Sequence, residues 1–213
     1  MNNSFNAPSA KWKIIGTLFW MVFSGVLNAQ APPTWHLLIE PSFMHPEVSF
    51  RIPGAKRTLL VPGYLNQENE PVYFKKKEFK ALGVDQDGFL KQSLANATEK
   101  KVKTSLVRDE KKVIQYGLLQ SESPLTATMV LSPDFLKTFA DLFGPKLLVA
   151  LPNRYTVYIF PKLASNYQNE ADRVISDYKN SGTPVSLEVF EVDPTGLKAI
   201  GMYENNDRLE VEP

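Results

Sequence analysis

Residues 144–160 read GPKLLVALPNRYTVYIF. Leu147 to Leu151 is a continuous apolar run, which predicts a strand covered on both faces. Pro152-Asn153-Arg154 predicts a chain reversal. Tyr155 to Phe160 is rich in β-branched and aromatic residues and predicts the partner strand. This hairpin is the centre of the reading. Upstream, Ser132-Pro133-Asp134 marks a helix start: serine caps, proline takes the first helical position, and an acid faces the positive end of the dipole. Phe135, Leu136, Phe139, Ala140, Leu142 and Phe143 form a wide apolar stripe, and Gly144-Pro145 ends the helix.

Downstream, residues 166–180 predict a helix with Tyr167, Ala171, Val174, Ile175 and Tyr178 inward. Val185 to Val192 and Leu197 to Tyr203 predict strands joined by the turn Asp193-Pro194-Thr195-Gly196. On the other side, Val102–Arg108 and Val113–Leu119 predict a hairpin across residues 109–112, and Thr126–Leu131 a further strand. A short helix is expected over Lys75–Leu82 with Gly83 at its end. A second, capped by Asp85–Asp87, is expected to run to about Lys100. Trp35–Ile39 and Arg57–Val61 read as strands, the latter closed by a Pro62-Gly63 turn, with residues 41–56 mostly loop. Hairpins outnumber βαβ units. The expected class is therefore α+β, one domain with a mainly antiparallel mixed sheet and about three helices.

The amino terminus carries an export signal. Lys11 and Lys13 precede an apolar run from Ile14 to Leu27. As a helix that run would rise about 21 Å, short of a hydrocarbon core of about 30 Å. It has the form of a signal peptide. Pro32 disfavours a cut after Ala31, so cleavage is expected after Ala29. That leaves residues 30–213 as the exported domain in the periplasm or beyond, with no membrane span; an uncleaved anchor is the alternative.

Composition narrows the function. The chain has 213 residues, 24 Lys+Arg, 23 Asp+Glu and a net charge of +1. Lys11 and Lys13 are the only charged residues in the leader, so the exported part is near neutral. A near-neutral chain has no basic excess for a phosphate backbone, and nucleic acid is not an expected partner. With no cysteine there is no disulfide framework, thiolate nucleophile or lipobox.

The 144–160 stretch, entered from an apolar helix, resembles the YtpQ-like family of uncharacterised bacterial proteins. In that family a glycine, an apolar strand, a Pro-Asn/His-Arg/Gln turn and a second apolar strand follow the helix. The matching positions are Gly144, Leu148, Ala150, Pro152, Asn153, Arg154, Val157 and Ile159. Glu78, Phe79, Leu82, Gly83, Leu90, Ala95 and Asn96 form a second similar patch. The resemblance covers about half of the exported chain. It departs at Tyr155, where the family commonly has an acid, and at Ala97, where it has a large aliphatic. The family looks largely cytosolic, unlike a chain with an export leader. The resemblance implies a fold class and no activity.

Candidate chemistry is sparse. A zinc site needs about three or four ligands. His36 and His45 with Glu40 or Glu47 could supply three, but their spacing across a proline-rich loop lacks a metal pattern, so no metal is expected. There is no GxSxG, GxxxxGK[ST] or GxGxxG motif, and no cofactor is expected. Asp85-Gln86-Asp87-Gly88 fails as a calcium loop at Phe89 and Asn96 and reads as a helix cap. Lys75-Lys76-Lys77 and Lys100, Lys101 and Lys103 read as solvated faces, or as weak contacts to an anionic headgroup or polymer.

The candidate binding residues are Asn153 and Arg154. Asn tolerates unusual turn geometry, and Arg offers a planar fork to a carboxylate or phosphate. The turn reads either as an ordinary hairpin with a solvated Arg or as a recognition point. In the second case Arg154→Ala should weaken binding and leave the fold intact. The functional expectation is a non-catalytic exported domain with a protein or envelope component as partner. The alternative is a small periplasmic hydrolase using carboxylates.

Overall fold

The computed structural model describes residues 34–97, 102–162 and 166–203. The chain divides into two units, Met1–Pro32 and Pro33–Pro213, and all described residues belong to the second. The leader and Lys100–Lys101 lie outside them.

The class is α+β, built on two antiparallel sheets. The smaller sheet holds β1 (Trp35–Pro41), β2 (Phe50–Arg51), β3 (Thr58–Leu65) and β4 (Pro71–Tyr73). β3 is central: β1 pairs along its whole length, while β2 and β4 share its other side end to end. The larger sheet holds β5 (Lys103–Arg108), β6 (Ile114–Gln120), β7 (Leu147–Asn153), β8 (Thr156–Pro161), β9 (Glu188–Asp193) and β10 (Gly196–Met202). Its order is β10-β9-β7-β8-β6-β5. Every pairing between the described strands is antiparallel, so the expected mixed sheet is instead two antiparallel ones. The described helices are α1 (Lys76–Ala81), α2 (Gln86–Asn96), α3 (Pro133–Phe143) and α4 (Ala171–Lys179).

All seven residues of β7 are buried. Leu147, Val149 and Leu151 face a core shared with Phe135, Phe139 and Phe143 of α3, with Phe190, and with Ile39 of the smaller sheet. Leu148 and Ala150 face the opposite side, where Val174 of α4 packs with Tyr116, Tyr158 and Phe160. The unbroken apolar run thus reflects a strand covered on both faces by helices. The smaller sheet has its own aromatic core, in which Phe89 of α2 lies 5.6 Å from Trp35, 6.0 Å from Phe74 and 5.2 Å from Phe79, centroid to centroid.

Three local expectations are corrected. Pro62-Gly63 is not a turn: β3 runs through it. The Pro62 carbonyl accepts from Phe74 N–H (3.0 Å) on the side away from β1, and the missing N–H shares that side, just past the last β4 pair at Gly63–Tyr73, so the β1 ladder is left intact. At Gly63 a Cβ would stand 2.5 Å from the Val72 carbonyl oxygen and 2.8 Å from a Leu38 methyl. Gly63→Ala is therefore expected to destabilise the fold by about 1–3 kcal/mol, measured by urea unfolding; an unchanged midpoint would contradict this packing. Second, Ala127–Leu131 is a 3₁₀ turn and not a strand. Hydroxyl bonds from Thr126 to Ser123 O (2.7 Å) and between Ser121 and Thr126 (2.6 Å) satisfy the chain locally and displace a ladder. Third, β7 continues to Asn153, which moves the reversal to Arg154-Tyr155. The helix expected over 166–180 opens as a 3₁₀ segment, Asn166–Glu170, before α4.

Among the described residues no helix is long and apolar enough to cross a membrane.

Candidate binding site

An apolar cleft of about 570 Å³ opens where the two sheets, α2 and α3 meet. Leu90 and Leu94 of α2 form one wall, and Leu131 and Leu136 another. Leu37 and Leu60 of the smaller sheet and Ile52, just past β2, floor it, and the β9–β10 turn, Val192 to Leu197, closes one end. The helix caps place these walls. Asp85 Oδ1 accepts from Gly88 N–H (2.8 Å) to start α2, and Ser132 Oγ accepts from Asp134 N–H (3.3 Å) to start α3.

The polar groups at the rim are engaged with their neighbours. Asp193 accepts from the Thr195 backbone N–H (2.8 Å) and hydroxyl (2.5 Å). Those bonds, the hydroxyl's first, hold its carboxyl below the usual range, with Lys146 at 3.7 Å adding to the effect. Lys137 pairs with Asp134 at 3.1 Å on the exposed face of α3.

Two buried polar joints tie the sheets together. In the first, Arg154 forks onto Glu40: Nε donates to Oε1 at 2.9 Å and Nη2 to Oε2 at 3.0 Å. Nη2 also donates to the Tyr73 hydroxyl at 2.6 Å. The Glu40 side chain is 1% exposed and that of Arg154 16%. Burial lifts the Glu40 carboxyl above its usual range; the Arg154 hydrogen bond and charge oppose this without cancelling it. Burial, then the Glu40 charge, also pushes the Tyr73 hydroxyl up. In the second joint, Glu188 of β9 accepts from Lys56 N–H (2.7 Å) and Arg57 N–H (3.2 Å), and from the Thr58 hydroxyl at 2.6 Å. Thr58 in turn meets the Ser186 hydroxyl at 2.7 Å.

The residues singled out from sequence fall as follows. Arg154 is not a solvated turn residue; its fork is filled by Glu40, so its removal acts on the fold first. Asn153 is buried, and its Oδ1 accepts from Tyr155 N–H (2.9 Å), shaping the reversal. His36 lies on β1 opposite Gly63, and His45 adopts a left-handed conformation (φ 48°) after the Ser42–Met44 turn. Among the described residues no three His, Cys, Asp or Glu side chains gather as metal ligands. Lys75 N–H donates to Glu78 (2.9 Å) within the start of α1, and Lys76 N–H donates to Glu47 (3.1 Å) in the loop before β2. The cleft itself escaped sequence reasoning. Leu90 and Leu94 were legible as an apolar helix face, but nothing local says that part of that face stays open.

The class defined by fold and site is a two-sheet α+β protein with an apolar cleft at the sheet junction. Comparison with family models, characterised proteins and solved structures finds no match to this chain.

Proposed function

We propose that this chain is a non-catalytic binding module of the bacterial envelope, exported by the leader that ends at Ala29. Its cleft takes an envelope component with a single apolar chain. The observation that carries this reading is the cleft. Its volume falls within the range of about 300–1,000 Å³ usual for small-molecule sites, and such sites are mostly apolar with a few polar groups at the edge. Ser132, Lys137 and Thr195 at the rim would meet a headgroup, while the leucine walls would meet the chain.

The buried carboxylates are poorly placed for hydrolysis. Glu40 and Glu188 are each held by a cation or by backbone donors at a sheet joint, away from the leucine-walled space.

The test is titration of the full-length chain with a fluorescent fatty acid. Saturation at one equivalent is expected. Leu94→Trp and Leu136→Trp, which fill the cleft from two helices, should each weaken binding about tenfold or more, the loss of about 1.4 kcal/mol or more. Binding indifferent to both substitutions would remove the reading. N-terminal sequencing of the exported protein should begin at Gln30.

A further inference from the structure

We infer that a second surface, formed by Phe43, Met44, Lys56, Arg57, Ile200 and Met202, docks the protein on an anionic phospholipid surface. Seven large apolar side chains are exposed among the described residues; Ile200 (45%) and Met202 (39%) line a crevice with Lys56 and Arg57, and Phe43 (61%) and Met44 (42%) stand on the neighbouring turn. They come from segments far apart in sequence. Ser42 N–H donates to the Arg57 carbonyl (2.7 Å), which sets the Phe43-Met44 turn beside Lys56-Arg57. Lys56, Arg57, Ile200 and Met202 line one crevice of about 460 Å³, separate from the leucine-walled cleft.

Among the described residues, the exposed charge of this patch is basic. Lys56 and Arg57 are exposed, and among the described residues neither side chain pairs with a carboxylate. The nearby acid, Glu188, is 4% exposed and points inward to the backbone N–H groups of those two residues and to Thr58. Its role is to fix the segment, leaving the two cations outward. Ile200 and Met202, two residues apart on β10, are both exposed to solvent.

This mixture suits a lipid interface. Apolar side chains enter the headgroup boundary while adjacent cations meet anionic headgroups. It suits an added peptide strand less well. Ala199 N–H already donates to the Pro53 carbonyl (2.8 Å), so the outer edge of β10 is blocked at its middle. Gly54 secures this closure, since a Cβ there would stand 2.3 Å from the Ala199 carbonyl oxygen.

The experiment is cosedimentation of the full-length chain with vesicles of phosphatidylcholine alone or mixed with phosphatidylglycerol. Binding should favour the anionic vesicles and fade as salt rises well above physiological strength, where screening shortens to a few ångströms. Lys56→Gln with Arg57→Gln should lower anionic-vesicle affinity about tenfold, and Phe43→Ser with Met44→Ser several-fold. All four side chains are exposed, and unchanged near-UV circular dichroism should show that both variants fold. Leu94→Trp should leave vesicle binding unchanged, which separates this surface from the cleft. Equal binding to neutral vesicles, or binding that neither pair of substitutions alters, would overturn the inference. So would preference for an acidic peptide over anionic vesicles.

Discussion

Arg154→Met is expected to destabilise the protein by about 3–5 kcal/mol at pH 8, the usual cost of leaving one member of a buried ion pair alone. Glu40 would keep its 1% exposure and lose both guanidinium bonds. The cost should shrink as pH falls. In the wild type, burial already raises the Glu40 carboxyl above its ordinary value of 4.5, against the opposing pull of Arg154. The folded state therefore holds the Glu40 proton more tightly than the unfolded state. Glu40's contribution is most favourable below the unfolded value and declines as pH rises through the folded one. Without Arg154 the raised value moves further up, so at pH 5 more of the mutant carries a neutral carboxyl that costs less to bury. Urea unfolding at both pH values measures this. Glu40→Gln combined with Arg154→Met should recover part of the loss at pH 8. An Arg154→Met protein as stable as wild type at pH 8 would show that the joint does not hold the sheets.

Phe89→Ala is the other large effect, expected at about 3–5 kcal/mol. Phe89 is fully buried and stacks on Trp35 with an interplanar angle of 12°. It is the side chain by which α2 grips the smaller sheet. Because Leu90 and Leu94 of the same helix wall the cleft, loosening α2 should also weaken fatty-acid binding in the molecules that remain folded. Trp35 fluorescence should report the lost stacking. Stability within 1 kcal/mol of wild type would place the anchor of α2 elsewhere.

These two residues differ in how well sequence exposed them. Phe89 was legible: it opens a helical apolar pattern behind an Asp85 cap, and periodicity of that kind survives folding. The 147–160 hairpin was legible for the same reason, since a run that is apolar at every position has few places to go except between two layers. Arg154 was only half legible. Its position at a reversal was clear, but its partner lies 114 residues away, and no local pattern encodes a pairing across two sheets. Glu40 ends an apolar strand, where an acid reads as the strand's exit into solvent; instead the strand stays buried through Pro41.

Pro62-Gly63 misled for a related reason. A dipeptide that usually reverses the chain here exploits a gap between β2 and β4, a feature visible only once both have paired with β3. The two-sheet division was likewise hidden. Hairpins can be counted along a chain, but the break between Tyr73 and Lys103, filled by α1 and α2, does not say whether one sheet resumes or another begins.

The claim that the sheet-junction cleft is a binding site is tested most directly by nuclear magnetic resonance titration of the isotopically labelled full-length chain with a medium-chain fatty acid. Saturable shifts are expected at Leu90 and Leu94, at Leu37, Ile52 and Leu60, at Leu131–Lys137 and in the 192–197 turn, with their loss in Leu94→Trp. Saturable shifts that map elsewhere, or none at all, would contradict it.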